Sequence, residues 1–205
     1  MMNRRELLVA TRNTGKLLEL QPYLAPLQLH LRSLSEFPEV ADVSETGATF
    51  TENAILKARG YAEQIGLWTL ADDSGLEVDA LNGAPGVYSA RYGGEGLTDA
   101  DRTQLLLVTL AQTSDAGRRA RFVCVIAIAD SQGEIINLST GKCEGRIAHT
   151  PRGTNGFGYD PVFIPDGYEQ TFGELSAEIK EKISHRALAL AAARPFLFEL
   201  FGGLN

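Results

Sequence analysis

The chain has 205 residues, of which 44% are apolar and 22% charged, and its formal net charge is −7. That length buries a substantial core and fits one large domain or two closely joined lobes, and the composition excludes disordered and fibrous architectures. Net acidity argues against a general nucleic-acid binder, and no apolar run is long enough to span a bilayer.

Met1–Glu6 leads straight into a short apolar strand rather than a signal-peptide core, which makes the cytoplasm the expected address. Leu7–Ala10 predicts a buried strand. A polar turn follows, then a helix from Lys16, which Pro22 should shorten or kink. Alternation over Leu27–Leu31 predicts a second strand. Thr49 and Glu52 have capping-box spacing and Gly66 is placed to stop the helix they open, with Ala54, Ile55, Ala58, Ala62 and Ile65 on its apolar face. Trp68–Ala71 reads as a strand that ends at Asp72-Asp73-Ser74-Gly75. Thr98–Leu110 is a further helix, and strands at Ala120–Ala129 and Glu134–Gly145 are joined by a turn at 130–133. A Gly- and Pro-rich loop covers Ile147–Asp160. Helical patterning then fills Ser176–Phe201, broken near Ser184 and perturbed at Pro195. The order implies a mixed sheet flanked by helices.

Cys124 and Cys143 are too few for a disulfide framework, and Cys124 sits in an apolar run as a buried thiol. The scattered histidines argue against zinc. Arg118-Arg119-Arg121 reads as a solvated strand entrance.

Five constellations bear chemistry. Thr11-Arg12-Asn13-Thr14-Gly15-Lys16 lies at a strand-to-helix junction, where unpaired N–H groups and partial positive charge suit a phosphate. It is not a P-loop, because Ala10 stands where the first glycine belongs and Leu17 where a metal-binding hydroxyl is required. An ordinary turn with a surface lysine is the competing reading. Asp72-Asp73 places two carboxylates side by side. Strand alternation points them in different directions, so one can bind metal or activate water while the other orients a neighbour. A solvated turn is the alternative. Glu45, just before the helix that carries Glu52, Asn53 and Lys57, can join Asp73 in meeting the modest carboxylate demand of Mg²⁺, against a plain solvated loop glutamate. Gly156-Phe157-Gly158-Tyr159-Asp160 offers close backbone approach and an aromatic for stacking on a base, against a plain Gly-rich turn. Lys180, with Ser184-His185-Arg186 at a helix start, gathers positive charge where a helix does not favour it, which suits an anion or a carbonyl-rich ligand, against a solvated first turn.

In combination, Ala10–Lys16, Glu45-Thr46-Gly47 with Phe50–Ala54, Ala71–Leu76, Gly83–Arg91, Gly156–Pro161 and Ile183–Arg186 resemble the inosine triphosphate pyrophosphatase family, in that family's order over nearly the whole chain. The resemblance implies an α/β fold with an elongated mixed sheet flanked by helices, two lobes around a central nucleotide-binding cleft, residues 1–205 as a single domain, and a homodimer. It implies Mg²⁺-dependent hydrolysis of non-standard purine nucleoside triphosphates to monophosphate and pyrophosphate, with no nucleic-acid or membrane partner. Thr11, Arg12, Asn13, Thr14, Gly15 and Lys16 would grip phosphate. Glu45 and Asp73 would hold Mg²⁺, with Asp73 also the proton acceptor and Asp72 and Lys57 in support. Ser74, Phe157, Gly158, Tyr159, Asp160, Lys180, His185 and Arg186 would bind the nucleotide, Lys180 or Arg186 favouring a 6-keto base. Two rivals stay open: a non-catalytic nucleotide-binding module, and a pyrophosphatase for other modified nucleotides.

Overall fold

The computed structural model describes residues 6–202; Met1 to Arg5, on which part of the localisation expectation rests, lie outside the described residues. In chain order the elements are β1 (Glu6–Val9), α1 (Thr14–Leu24), β2 (His30–Ser33), α2 (Phe50–Ile65), β3 (Trp68–Val78), α3 (Asp99–Thr109), β4 (Arg119–Ala129), β5 (Ile135–Ile147), β6 (Phe163–Pro165), α4 (Ala177–Ile183) and α5 (His185–Phe201). The six strands form one mixed sheet in the order β2-β1-β3-β4-β5-β6. β1 runs parallel to both β2 and β3, with Leu7 opposite Leu31 on one side and Trp68 on the other, whereas β5 and β6 are antiparallel. Among the described residues no helix is long and apolar enough to cross a membrane.

The chain divides into two compact units. The first comprises the described residues of Met1–Asp73, Cys124–Gly141 and Arg186–Asn205. Its core joins Leu7 and Val9 of β1, Leu20 and Leu24 of α1, Leu70, Ile126 and Ile128 of the central strands, and Leu190, Ala193 and Leu197 of α5. The second comprises Ser74–Val123 and Lys142–His185, and packs Leu106 and Leu110 of α3 with Leu76, Phe122, Phe163 and Phe172. Cys124 is fully buried in the first unit, and burial pushes its thiol up to about 12.

The local signals at α2 hold. The Thr49 hydroxyl accepts a hydrogen bond from Glu52 N–H, the Glu52 carboxylate accepts from Thr49 N–H, and Gly66 ends the helix at φ 74°. Its buried face, however, carries Asn53 and Lys57 among the alanines.

Four expectations need correction. α1 continues through Pro22 to Leu24, since the exposed proline leaves its missing donor on the solvent side while Leu20 and Leu24 bury on one face. The second strand starts at His30 rather than Leu27, because Ala25–Leu27 forms a 3-10 turn closed by left-handed Gln28, whose N–H donates to the Ala25 carbonyl. β3 does not end at Asp72; it runs on to Val78, so the acidic pair lies within a strand. Arg118 is not solvated: it is buried and donates to the carbonyls of Ile147, Leu110 and Ala148 at 2.9, 2.9 and 2.8 Å. Three backbone acceptors at the ends of α3 and β5 explain why a charged group is tolerated there. Its neighbours stay at the surface in ion pairs, Arg119 with Asp166 and Arg121 with Glu77 and Asp79.

Candidate active site

The segment after β1 is arranged for an anion. Asn13 is the N-cap of α1, its side-chain oxygen accepting from Lys16 N–H at 3.2 Å, and the buried Thr11 hydroxyl accepts from Asn13 N–H at 3.1 Å. Thr14 and Gly15 form the first helical turn, so their N–H groups have no partner further up the helix. Arg12 is exposed and turns aside, donating to the Leu34 carbonyl and lying 3.5 Å from Asp42. Lys16 reaches inward, its ammonium 2.9 Å from Asp72.

Strand alternation separates the two adjacent aspartates, as expected. Asp72 is enclosed by Lys16 and by the guanidinium of Arg186, 3.0 Å away. Burial works against its charge, but Lys16 and Arg186 outweigh it and hold the carboxyl well below the usual carboxylate range. Arg186 is itself fully buried and also pairs with Glu19. Its guanidinium therefore already has two carboxylates in the first unit.

Asp73 faces another neighbourhood. Lys57 donates to its Oδ1 at 3.0 Å and lies 2.8 Å from Oε1 of Glu45. Burial opposes the charge on Lys57, yet Asp73, Asp72 and Glu45 together hold its ammonium above the ordinary value. Burial also lifts the Asp73 carboxyl above its ordinary value, against the pull of Lys57. The second oxygen of Asp73, Oδ2, is buried without a hydrogen-bond partner. An acceptor left open beside a second carboxylate fits a cation, and the two oxygen-donor side chains suit a hard one. Among the described residues no group of three or more His, Cys, Asp or Glu gathers as a metal cage.

The second unit holds the other expected residues. Asp160 is buried, and its Oδ2 accepts from Phe157 N–H at 2.8 Å and from Lys180 at 2.5 Å. The Lys180 ammonium also stands 5.0 Å from the centre of the Phe157 ring. Gly156 is required here: its φ is 74°, and a Cβ would come within 1.9 Å of Asp160 Oδ2. Gly158 N–H donates to Asp99 at 3.0 Å, and the Tyr159 hydroxyl donates to the Ser89 carbonyl at 3.0 Å. His185 is buried, its ring stacked on Phe122 at 4.7 Å. Ser74 is half-buried in β3.

Thus the structure brings Lys16, Asp72 and Arg186 together, separately gathers Glu45, Lys57 and Asp73, and in the second unit joins Phe157, Asp160 and Lys180. Sequence reasoning missed Glu19 and Asp99. Glu19 stands three residues after Lys16, on the same face of α1, which is the signal that could have found it. Asp99 gave none beyond its place in the first turn of α3.

A family model described as "Ham1 family" matches residues 7–196. The dITP/XTP pyrophosphatase of Nostoc sp. is 50% identical over 189 residues, covering 92% of each chain. The dITP/XTP pyrophosphatase of Coxiella burnetii is 47% identical, over 96% of this chain and 98% of the relative. A solved HAM1 protein structure from Coxiella burnetii superposes with a TM-score of 0.86 at 46% identity, covering 95% of this chain and 98% of that one.

Proposed function

This chain belongs to the Ham1 family, and from that membership we propose that it hydrolyses non-standard purine nucleoside triphosphates, dITP/ITP and dXTP/XTP, to the monophosphate and pyrophosphate, cleansing the nucleotide pool. The relatives named dITP/XTP pyrophosphatase at high coverage support the substrate class. One observation carries the chemistry: Lys57 lies between Glu45 and Asp73, and Asp73 keeps a buried oxygen open.

Glu45 and Asp73 would hold Mg²⁺, a hard cation that one or two carboxylates suffice to bind. When bound, the ion neutralises charge that builds on the departing pyrophosphate. Asp73 takes a proton from the water that attacks the α-phosphorus, the α–β bridging bond breaks, and pyrophosphate leaves. Asp73 would serve as acceptor by positioning the water rather than by strong basicity, because a carboxylate beside a metal keeps a low pKa. Lys16, the first N–H groups of α1, Thr11 and Asn13 receive the triphosphate. Asp72, ionised by Lys16 and Arg186, holds the Lys16 ammonium in place. Phe157 stacks on the base, and Gly158, Tyr159, Asp160, Lys180, His185 and Ser74 shape the nucleotide pocket. Lys180 favours a 6-keto acceptor, which adenine lacks. We assign the protein to the cytoplasm and to a homodimer.

A substrate panel with Mg²⁺, read for pyrophosphate and monophosphate, tests this function. Strong turnover is expected on dITP, ITP and XTP, and weak turnover on ATP and GTP. Orthophosphate as primary product, or equal rates on ATP and ITP, overturns it.

A further inference from the structure

One hydrogen bond to the loop that carries Glu45 is made by a residue with no assigned role. Asn53 is fully buried on α2, one helical turn before Lys57 and on the same face. Its Oδ1 accepts from Gly47 N–H at 2.8 Å, two residues beyond Glu45. Gly47 is packed so closely that a Cβ there would stand 2.6 Å from Glu52 Cβ and 2.8 Å from Asn53 Oδ1. Next to it, Ala48 N–H donates to Glu52 at 2.6 Å. The other half of the Asn53 amide, Nδ2, is buried and has no hydrogen-bond partner.

A buried amide with a donor unmet is costly, and an apolar residue would fill this helix face without that cost. We infer that Asn53 is a positioning residue for Glu45: its Oδ1 pins the loop that sets the carboxylate, and its Nδ2 is satisfied by an oxygen that enters with metal or nucleotide. An amide N–H cannot ligate a cation, so its partner is a metal-bound water or a phosphate oxygen. The inference rests on the reading of Glu45 and Asp73 as metal ligands. Groups that orient a ligand in this way alter metal affinity by about 10–100-fold when removed.

The test is Mn²⁺ binding to the full-length, nucleotide-free protein, followed by electron paramagnetic resonance. Asn53→Leu keeps the branched four-atom side-chain framework and removes both halves of the amide; Gly47→Ala displaces the loop and leaves Asn53 intact. Both are expected to weaken Mn²⁺ binding about tenfold or more, and Glu45→Gln at least as much. The Asn53 side-chain amide resonance is expected to shift when Mg²⁺ and a non-hydrolysable dITP analogue are added to wild type. Wild-type Mn²⁺ affinity in folded Asn53→Leu, or an unmoved resonance, overturns the inference. If Asn53→Leu does not fold, Gly47→Ala and the resonance decide. Unchanged binding in Glu45→Gln instead overturns the metal assignment itself, which separates the two failures.

Discussion

Lys57 and Asp73, 16 positions apart in the chain, meet at 3.0 Å, and the same ammonium lies 2.8 Å from Glu45. One cation thus holds two carboxylates that would otherwise repel each other in a largely buried setting. The arrangement makes the site's charge balance depend on Lys57 whenever no metal is present, and it leads to the first of four expected outcomes.

Lys57→Met removes the cation and leaves Asp73 buried beside Glu45. Breaking such a pair costs about 3 kcal/mol, or a fall in Tm of roughly 6–12 °C for a chain of this size. Mg²⁺ should recover part of the loss, so the Mg²⁺-induced rise in Tm is expected to be larger in the variant than in wild type. Calorimetry with and without Mg²⁺ checks this; equal rises would remove Lys57 from the metal site.

Asp73→Asn keeps the shape and a hydrogen-bonding oxygen but cannot take a proton or offer a full negative charge. Turnover of dITP should fall by about 10²–10⁴-fold, the range of a lost proton-transfer group. Nucleotide binding measured without metal should change little. Near-normal turnover would take Asp73 out of the chemistry.

The acid limb of stability should depend on Asp72. Its carboxyl is held far below the ordinary value near ~3.9, so as pH falls the unfolded chain takes up this proton before the native state does. The stabilisation is therefore complete above about pH 5 and is lost progressively below it. Asp72→Asn should be less stable than wild type at neutral pH, and the gap should narrow steadily as pH falls from about 5 to 2. Denaturation midpoints across that range report it; a constant gap would contradict the assignment.

Phe157→Ala tests the base end. Stacking of a base on an aromatic ring contributes ~1–3 kcal/mol, so KM for dITP should rise about tenfold or more. Because the ring does not touch the reacting phosphates, kcat should fall less than KM rises. The opposite split, a lost kcat at unchanged KM, would argue against stacking there.

What could be read along the chain were the features with local causes. The capping box at Thr49, the stop at Gly66, the break at Ser184 and the turn after β4 each rest on contacts within a few residues. The Asp72-Asp73 pair reads as a strand end rather than a strand interior, because two buried carboxylates need partners and nothing nearby in sequence supplies them. Their cations come from α1, α2 and α5, and only the folded sheet supplies them.

The sequence by itself determined the family and the α/β class, and it named most of the residues of the three clusters, because family motifs and capping signals are written in consecutive positions. Only the tertiary structure decided how those residues divide their charges. Arg186 meets Asp72 across 114 positions, which commits to a buried carboxylate a guanidinium that the sequence had offered to the base. Lys180 meets Asp160 across 20 positions within the second unit. Periodicity carries no information about such pairings, since burial and Coulomb attraction act on distances that chain spacing does not encode.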